Sequence, residues 1–158
     1  PDGASTLDVA DIGSRVGTGQ QFAVADTRGD WTAIWYLGQK GWFHNPRRSP
    51  TALPARAVVV TPKAGKESVP VYGRAYPEAA AYPPDVPVQA IVPLQYALPA
   101  GQEYVVGMKA DTEYYRAVTF DPAHHKVIRG SLVYYQIQFG HRVAYVMASD
   151  VDLSPSWR

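Results

Sequence analysis

The side chains that could do catalytic chemistry are few, and their spacing suits it poorly. The chain contains four histidines, His44, His124, His125 and His141, and no cysteine. A zinc hydrolase needs three protein ligands, usually rich in histidine, around an open water position. His124 and His125 are adjacent, so on a strand they point to opposite faces and are poorly placed to share a metal. We therefore expect no metal and no cofactor, with both of these side chains in a solvated loop and His141 in a turn.

Carboxylate pairs and nucleophiles give no stronger signal. Two pairs of carboxylates lie two positions apart and would share a face if the backbone is extended: Asp111 with Glu113, and Asp150 with Asp152. Acids in turns and at strand ends are far commoner than the catalytic carboxylate pairs of glycoside hydrolases. No serine has the glycine-flanked nucleophile-elbow pattern, and neither glycine-rich phosphate-binding pattern is present. We expect no catalysis within this chain.

The composition is that of a folded protein with little net charge. Hydrophobic residues make up 46% of the 158 residues and charged residues 18%, a balance that builds a core and argues against disorder. Fifteen Lys and Arg residues against 14 Asp and Glu give a net charge of +1, so the basic field of nucleic-acid binders is missing. Apolar runs such as residues 57–60 are far shorter than the roughly 20 residues that span a bilayer. We expect neither nucleic acid nor membrane as a partner.

Strand signals dominate the chain, as short runs of β-branched and aromatic residues between turn-forming residues. The predicted strands are Gln21–Ala25, Asp30–Leu37, Lys40–His44, Ala57–Thr61, Val69–Tyr72, Val86–Val92, Glu103–Met108, Leu132–Phe139 and Arg142–Met147. The one helix-like piece is Pro77–Ala81, which Pro83 and Pro84 limit to about one turn. The proline-rich stretch from Pro46 to Pro54 has the composition of a linker and predicts a domain boundary near residue 55.

An internal repeat organises these strands. The main block consists of Asp30–Tyr36 and Gly41–Phe43. Its counterpart, 103 positions later, consists of Val133–Phe139 and Ala144–Val146. The upstream block and its counterpart 82 positions later are Gly19–Val24 and Gly101–Val106. The second copy therefore carries 21 extra residues within the approximate range 107–130. This difference predicts one greatly enlarged loop in the second copy.

Both copies resemble a bacterial SH3-like domain, a small barrel of five to six strands. The pattern that carries the resemblance is a turn glycine before a strand, an aromatic-x-x-aliphatic strand, a tight turn and a Gly-aromatic-hydrophobic strand. Ala57–Pro62 followed by Val69–Pro77 is similar to the family's opening hairpin, which has no obvious counterpart in the first copy. The resemblance implies an all-β fold of two SH3-like β-barrels in tandem, over residues 1–54 and 55–158.

More narrowly, the chain resembles the non-catalytic C-terminal region of secreted actinobacterial N-acetylmuramoyl-L-alanine amidases of the peptidoglycan-recognition type. The segments that carry this resemblance are Trp42–Pro46, Thr61–Gly65, Val69–Pro77, Phe139–Val146 and Ala148–Asp152. It implies an extracellular, cell-wall-associated chain that is not itself an enzyme. Its partners are then the stem peptide or glycan of peptidoglycan and its own upstream catalytic domain. The start at Pro1, without an initiator methionine, predicts a processed or excised piece of a longer protein.

Strand parity selects the candidate binding residues. If Ile34 and Ile137 face the cores, the aromatic side chains that parity turns outward are Trp31, Trp35, Trp42, Tyr134 and Tyr145. Tyr114 and Tyr115, in the insertion, are predicted to close the groove of the second copy. Flat rings stack on sugar faces and peptide planes, which suits a glycan-peptide polymer. The alternative is that the same rings pack one module against the other and leave a spacer without a ligand.

Overall fold

The computed structural model describes residues 22–44, 58–107 and 114–155, with the backbone alone at residues 114–116 and 155. The strands are β1 (Val24–Arg28), β2 (Trp31–Tyr36), β3 (Gln39–His44), β4 (Val58–Pro62), β5 (Ser68–Pro70), β6 (Ala97–Pro99), β7 (Tyr104–Val105), β8 (Tyr114–Asp121), β9 (Lys126–Gln138), β10 (Val143–Met147) and β11 (Val151–Pro155). Two 3-10 helices, Ala79–Ala81 and Ala148–Asp150, are the helical elements of this part of the chain. The predicted all-β class is confirmed.

The strands form four small antiparallel sheets. Their strand orders are β1-β2-β3, β10-β9-β8, β11-β4-β7 and β5-β6. Two isolated bridges, Tyr72 with Tyr145 and Val106 with Ile137, link neighbouring sheets of the second half, residues 58–155. Within the described residues, no sheet closes into a barrel.

Equivalent positions of the two repeat blocks form the same pairs. These pairs are Ile34–Gly41 and Ile137–Ala144 in the two hairpins, and Val24–Ile34 and Val106–Ile137 at the strand that precedes each hairpin. The same offsets of 103 and 82 positions that relate the sequences therefore relate the strand pairings. Local sequence similarity in the two halves corresponds to the same local pairing geometry.

An aromatic pair also occurs at equivalent positions in each half. The rings of Phe22 and Tyr36 are 5.7 Å apart in the first half, residues 22–44, and are tilted by 45°. Their counterparts Tyr104 and Phe139 are 5.0 Å apart and tilted by 50°. Offset and tilted ring pairs of this kind add to the stability that burial provides. Each half thus builds its hydrophobic cluster around one such pair.

The largest core lies in the second half. Its buried members are Val60, Val69, Val71, Leu98, Tyr104, Val106, Ile137, Phe139, Ala144, Val146 and Val151. The first half has a smaller buried cluster of Phe22, Ile34 and Tyr36. Trp35 and Leu37 of the first half also pack against the large core. The two halves are therefore in direct apolar contact.

A ring of three hydrogen bonds joins the turn between β2 and β3 to the second half; we call it the junction ring. The N–H of Gly38 donates to the Tyr104 hydroxyl, which donates to Oε1 of Gln102, and Nε2 of Gln102 donates back to the Gly38 carbonyl, each over 2.8 Å. Tyr104 and Gln102 are both buried. Since Tyr104 and Gln102 are shielded from water and Gly38 is partly shielded, the three groups serve as hydrogen-bond partners for one another.

The backbone at Gly38 admits no side chain. Its φ is +82°, and a Cβ at this position would lie 2.5 Å from the carbonyl oxygen of Ala97. Next to it, the Leu37 N–H donates to the carbonyl of Phe139 over 2.8 Å. Burial raises the pKa of the Tyr104 hydroxyl well above its usual value, although the Gly38 N–H acts in the opposite direction. The hydroxyl therefore keeps the proton that it donates to Gln102.

Two sequence-based predictions about the elements need correction. The predicted strand Val86–Val92 is irregular backbone, because Pro87 has no N–H for a strand ladder and Val88 and Val92 point into solvent. The insertion predicted as a loop is largely β-structure, since β8 and the first part of β9 form a hairpin. Strands β6, β8 and β11 were not predicted. The boundary near residue 55 lies outside the described residues and stays a prediction.

The junction ring predicts opposite outcomes for two buried tyrosines. Tyr104→Phe should lower the free energy of unfolding by about 1–3 kcal/mol, because Gly38 and Gln102 each lose a buried partner. Tyr36→Phe is the matched control, since the Tyr36 hydroxyl is buried without a partner among the described residues, and its equivalent position already holds Phe139. This second change should leave stability unchanged or raise it. Urea unfolding measures both, and equal losses would contradict the ring.

Candidate functional site

Register places three of the four tryptophans on one side of the first sheet. The opposed pairs of β2 and β3 are Trp31–His44, Ala33–Trp42 and Trp35–Lys40. Because directly opposed residues share a face, Trp31, Trp35 and Trp42 lie on the same side, as parity predicted. Ile34 and Tyr36 occupy the other side and are buried, also as predicted.

The outer part of this side presents a pair of indole rings with polar neighbours; we call Trp31, Trp42, His44 and Arg28 the tryptophan face. The Trp31 and His44 rings are 4.7 Å apart and tilted by 35°. The guanidinium carbon of Arg28 lies 5.2 Å from the centre of the Trp42 ring. Both tryptophans are half-buried and His44 is exposed. The face therefore offers partly exposed aromatic surface beside groups that donate hydrogen bonds.

Trp35 has a different environment from its two neighbours. It packs against the buried cluster of Ala23, Val59 and Val105, and so against the second half. The Lys40 ammonium lies 5.6 Å over the centre of its ring. Trp35 is therefore mainly a contact between the halves, which is the role that the packing alternative assigns to such rings.

The prediction that Tyr134 points outward is wrong. Its side chain is fully buried in a cluster with Tyr72 and Ala117. Its hydroxyl donates to the carbonyl of Tyr76 over 2.8 Å, and its ring meets that of Tyr72 edge-on at 5.9 Å. Burial raises its pKa to about 12. Parity correctly places the side chains of Tyr134 and Ile137 on opposite faces of β9. The segment that follows β5 covers the face that carries Tyr134, so Tyr134 is unavailable to a ligand.

The other predicted aromatic residues of the second half do not complete a groove. Tyr145 is half-buried against the Tyr134 cluster, and its hydroxyl accepts a hydrogen bond from Nε2 of Gln136 over 2.9 Å. The backbones of Tyr114 and Tyr115 lie in β8, opposite Tyr135 and Tyr134. The side chains of these two residues lie outside the described part of the structure, so their predicted role stays a prediction.

The segment that covers Tyr134 is held against β9 by hydrogen bonds to the carboxylate of Glu78, a contact that the sequence did not indicate. The carboxylate accepts from the Ser131 N–H at 2.8 and 2.9 Å, from the Ser131 hydroxyl at 3.0 Å and from the Leu132 N–H at 3.2 Å. Hydrogen bonding, first from the Ser131 N–H, lowers the pKa of Glu78 from 4.5 to about 2. A Cβ at Gly130 would lie 2.6 Å from this carboxylate and 3.1 Å from the Pro77 Cα, so a side chain here would displace the carboxylate from its present position.

A groove lies where the turn between β9 and β10 faces the segment of residues 93–96. Its volume is about 590 Å³, and Leu37 of the first half contributes to its wall. Apolar side chains, including Leu94, Phe139 and Val143, form most of the lining. Sequence reasoning missed it because two distant segments and the junction between the halves build it together.

The polar side chains considered for catalysis are dispersed or have structural partners. Within residues 22–44, 58–107 and 114–155, no three His, Asp or Glu side chains come together as metal ligands. His124 Nδ1 lies 2.8 Å from Oδ2 of Asp121, within the turn between β8 and β9. Asp150 pairs with Lys66 over 3.3 Å. Asp111 and Glu113 lie outside the described residues.

Comparison with known proteins finds no match: no family model, no curated protein and no solved structure is similar to the chain. In the part of the chain that the structure describes, no helix is both long and apolar enough to span a membrane. The geometry of the tryptophan face and of the groove is therefore the main guide to function.

The Glu78 contact predicts a pH-dependent stability. Its pKa is lower in the folded protein, so its contribution is fully present above the ordinary value of 4.5 and is lost as the pH falls towards about 2. Glu78→Gln should be less stable than the wild type at neutral pH, and the difference should close over that acid range. Denaturant unfolding at a series of pH values measures it. Glu67→Gln is the control, because the carboxylate that it removes is exposed, and its stability should follow that of the wild type at every pH. A difference in the free energy of unfolding between Glu78→Gln and the wild type that does not change with pH would contradict the prediction.

Proposed function

We propose that this chain is a non-catalytic region that holds a peptidoglycan hydrolase, an N-acetylmuramoyl-L-alanine amidase, on the bacterial cell wall outside the cell. The observation that carries the proposal is the tryptophan face. Trp31 and Trp42 lie on the same side of a small sheet, with His44 in contact with the Trp31 ring and Arg28 in contact with the Trp42 ring. Such a face binds a ligand by stacking and hydrogen bonding and needs no catalytic group.

The proposal includes two SH3-like modules in tandem. The equivalent strand pairs and equivalent ring pairs in the two halves support it. In the second half, the first strand β4 pairs with the last strand β11, which brings the two ends of this half together as in a small barrel. These features are those expected if one small β-module occurs twice along the chain.

Peptidoglycan fits the chemistry of the face. Sugar rings present flat patches of C–H groups that stack on indole, and the hydroxyl, amide and carboxylate groups of the polymer can accept hydrogen bonds from Arg28. Tyr134 is buried, so the second half does not repeat this face among the described residues. One small aromatic face binds weakly, and attachment to a hydrolase that itself engages the polymer raises the effective concentration.

A second candidate function is a structural module that packs against its upstream catalytic domain or against itself without binding glycan. The burial of Trp35 against Val59 and Val105 favours it, because this ring already serves packing and not binding. The two candidates differ in the role of Trp31 and Trp42. Under the second, these rings are covered by protein in the full-length molecule.

Sedimentation with purified peptidoglycan separates the two candidates. The wild-type chain should be retained in the pellet, and the double variant Trp31→Ala with Trp42→Ala should bind at least about tenfold more weakly, since each ring contributes roughly 1 kcal/mol. Phe120→Ala is the control, because Phe120 is an aromatic ring on another sheet that is even more exposed than the two tryptophans. It should be retained like the wild type.

Two results would contradict the binding proposal. One is a wild-type chain that stays in the supernatant at high excess of polymer, which would favour the packing role. The other is a double variant that binds as well as the wild type while circular dichroism shows the same fold.

A further inference from the structure

The groove beside the β9–β10 turn differs in chemistry from the tryptophan face. Leu37, Leu94, Phe139 and Val143 give it an apolar lining. Leu94 and Val143 are 42% and 41% exposed, so apolar surface stays open to solvent in the described structure. Exposed apolar surface in a concave site is the usual basis of ligand binding.

The charge that the described lining of the groove carries is positive. Arg142 is the permanently charged side chain of its lining and His141 lies next to it, and among the described residues no Asp or Glu belongs to the lining. Arg142 is exposed, and among the described residues its guanidinium has no hydrogen-bond or ion-pair partner. Gln95 and Tyr96 add a side-chain amide and a hydroxyl to the same lining. An occupant that matches this lining has an apolar part and one anionic group that a guanidinium can bind through two hydrogen bonds.

We propose that this groove binds the carboxyl end of an extended peptide, with the last apolar side chain against Leu94 and Val143 and the terminal carboxylate on Arg142. The groove is open on one side, and its volume of about 590 Å³ is in the range of small-ligand sites, which suits a chain end better than a long continuous segment. Carboxylate capture beside an apolar pocket is a recurring way to recognise a peptide end.

The groove belongs to both halves of the molecule. Leu37 reaches it from the β2–β3 turn, where its N–H donates to Phe139 and its side chain packs on Gly140. A Cβ at Gly140 would lie 2.7 Å from the Leu37 side chain, so the two turns are in close contact. The wall of the site therefore forms only when the first half is seated on the second. This site is independent of the proposed wall binding, which uses another surface.

Calorimetric titration of the folded chain with two short peptides tests the proposal. The probes are acetyl-Ala-Ala-Leu with a free carboxylate and the same peptide as its C-terminal amide. The free acid should bind about tenfold more tightly than the amide, the effect of one charge-assisted bidentate contact. Arg142→Gln should remove that difference and leave the amide unaffected, while Leu94→Ala should weaken both peptides.

Arg129→Gln is the matched control, because Arg129 is an exposed arginine on β9 that does not line the groove. It should preserve the preference for the acid. The proposal is overturned if the acid and the amide bind equally, if neither binds, or if Arg129→Gln reduces acid binding as much as Arg142→Gln. The Trp31→Ala and Trp42→Ala double variant should bind the acid normally, so that a failure of this proposal and a failure of wall binding give different results.

Discussion

The arrangement of the two halves depends on one buried polar contact, the junction ring. A turn that carries a backbone N–H and C=O into an apolar junction loses both hydrogen bonds to water, and Gln102 and Tyr104 replace them. The replacement requires glycine at position 38, because the neighbouring Ala97 carbonyl leaves no room for a side chain. Buried polar contacts of this kind fix one geometry among the many that apolar packing alone would allow. The positions of Trp35 and Leu37, and with them one wall of the groove, follow from it.

The same β-hairpin has different surroundings in the two halves, and this difference determines which aromatic rings can meet a ligand. In the first half the outer side of the hairpin keeps Trp31 and Trp42 partly accessible. In the second half the equivalent side is covered by the segment after β5, which Glu78 holds against β9 through hydrogen bonds to Ser131 and Leu132. A shared strand pattern therefore specifies which residues share a side, but the rest of the chain decides whether that side meets solvent.

These contrasts also explain how much could be predicted from the sequence. Period-2 alternation placed Trp31, Trp35 and Trp42 on one side and Ile34 and Tyr36 on the other, because alternation is a local property of the strand. It could not predict the burial of Tyr134, the Glu78 contact or the groove, since each of these joins segments that lie more than 40 positions apart along the chain. Val86–Val92 has the composition of a strand, yet Pro87 and the lack of a partner strand among the described residues leave it irregular.

Amide hydrogen exchange at Gly38, followed by NMR, tests the junction most directly. Its N–H donates to the buried Tyr104 hydroxyl, whereas Gly65 has a similar positive φ, of 88°, in an exposed turn and provides an internal reference. If the first half is seated on the second as described, the Gly38 amide exchanges as slowly as the amides of the central strands and far more slowly than that of Gly65. Equal, fast exchange at Gly38 and Gly65 would show that the halves are not joined by this contact.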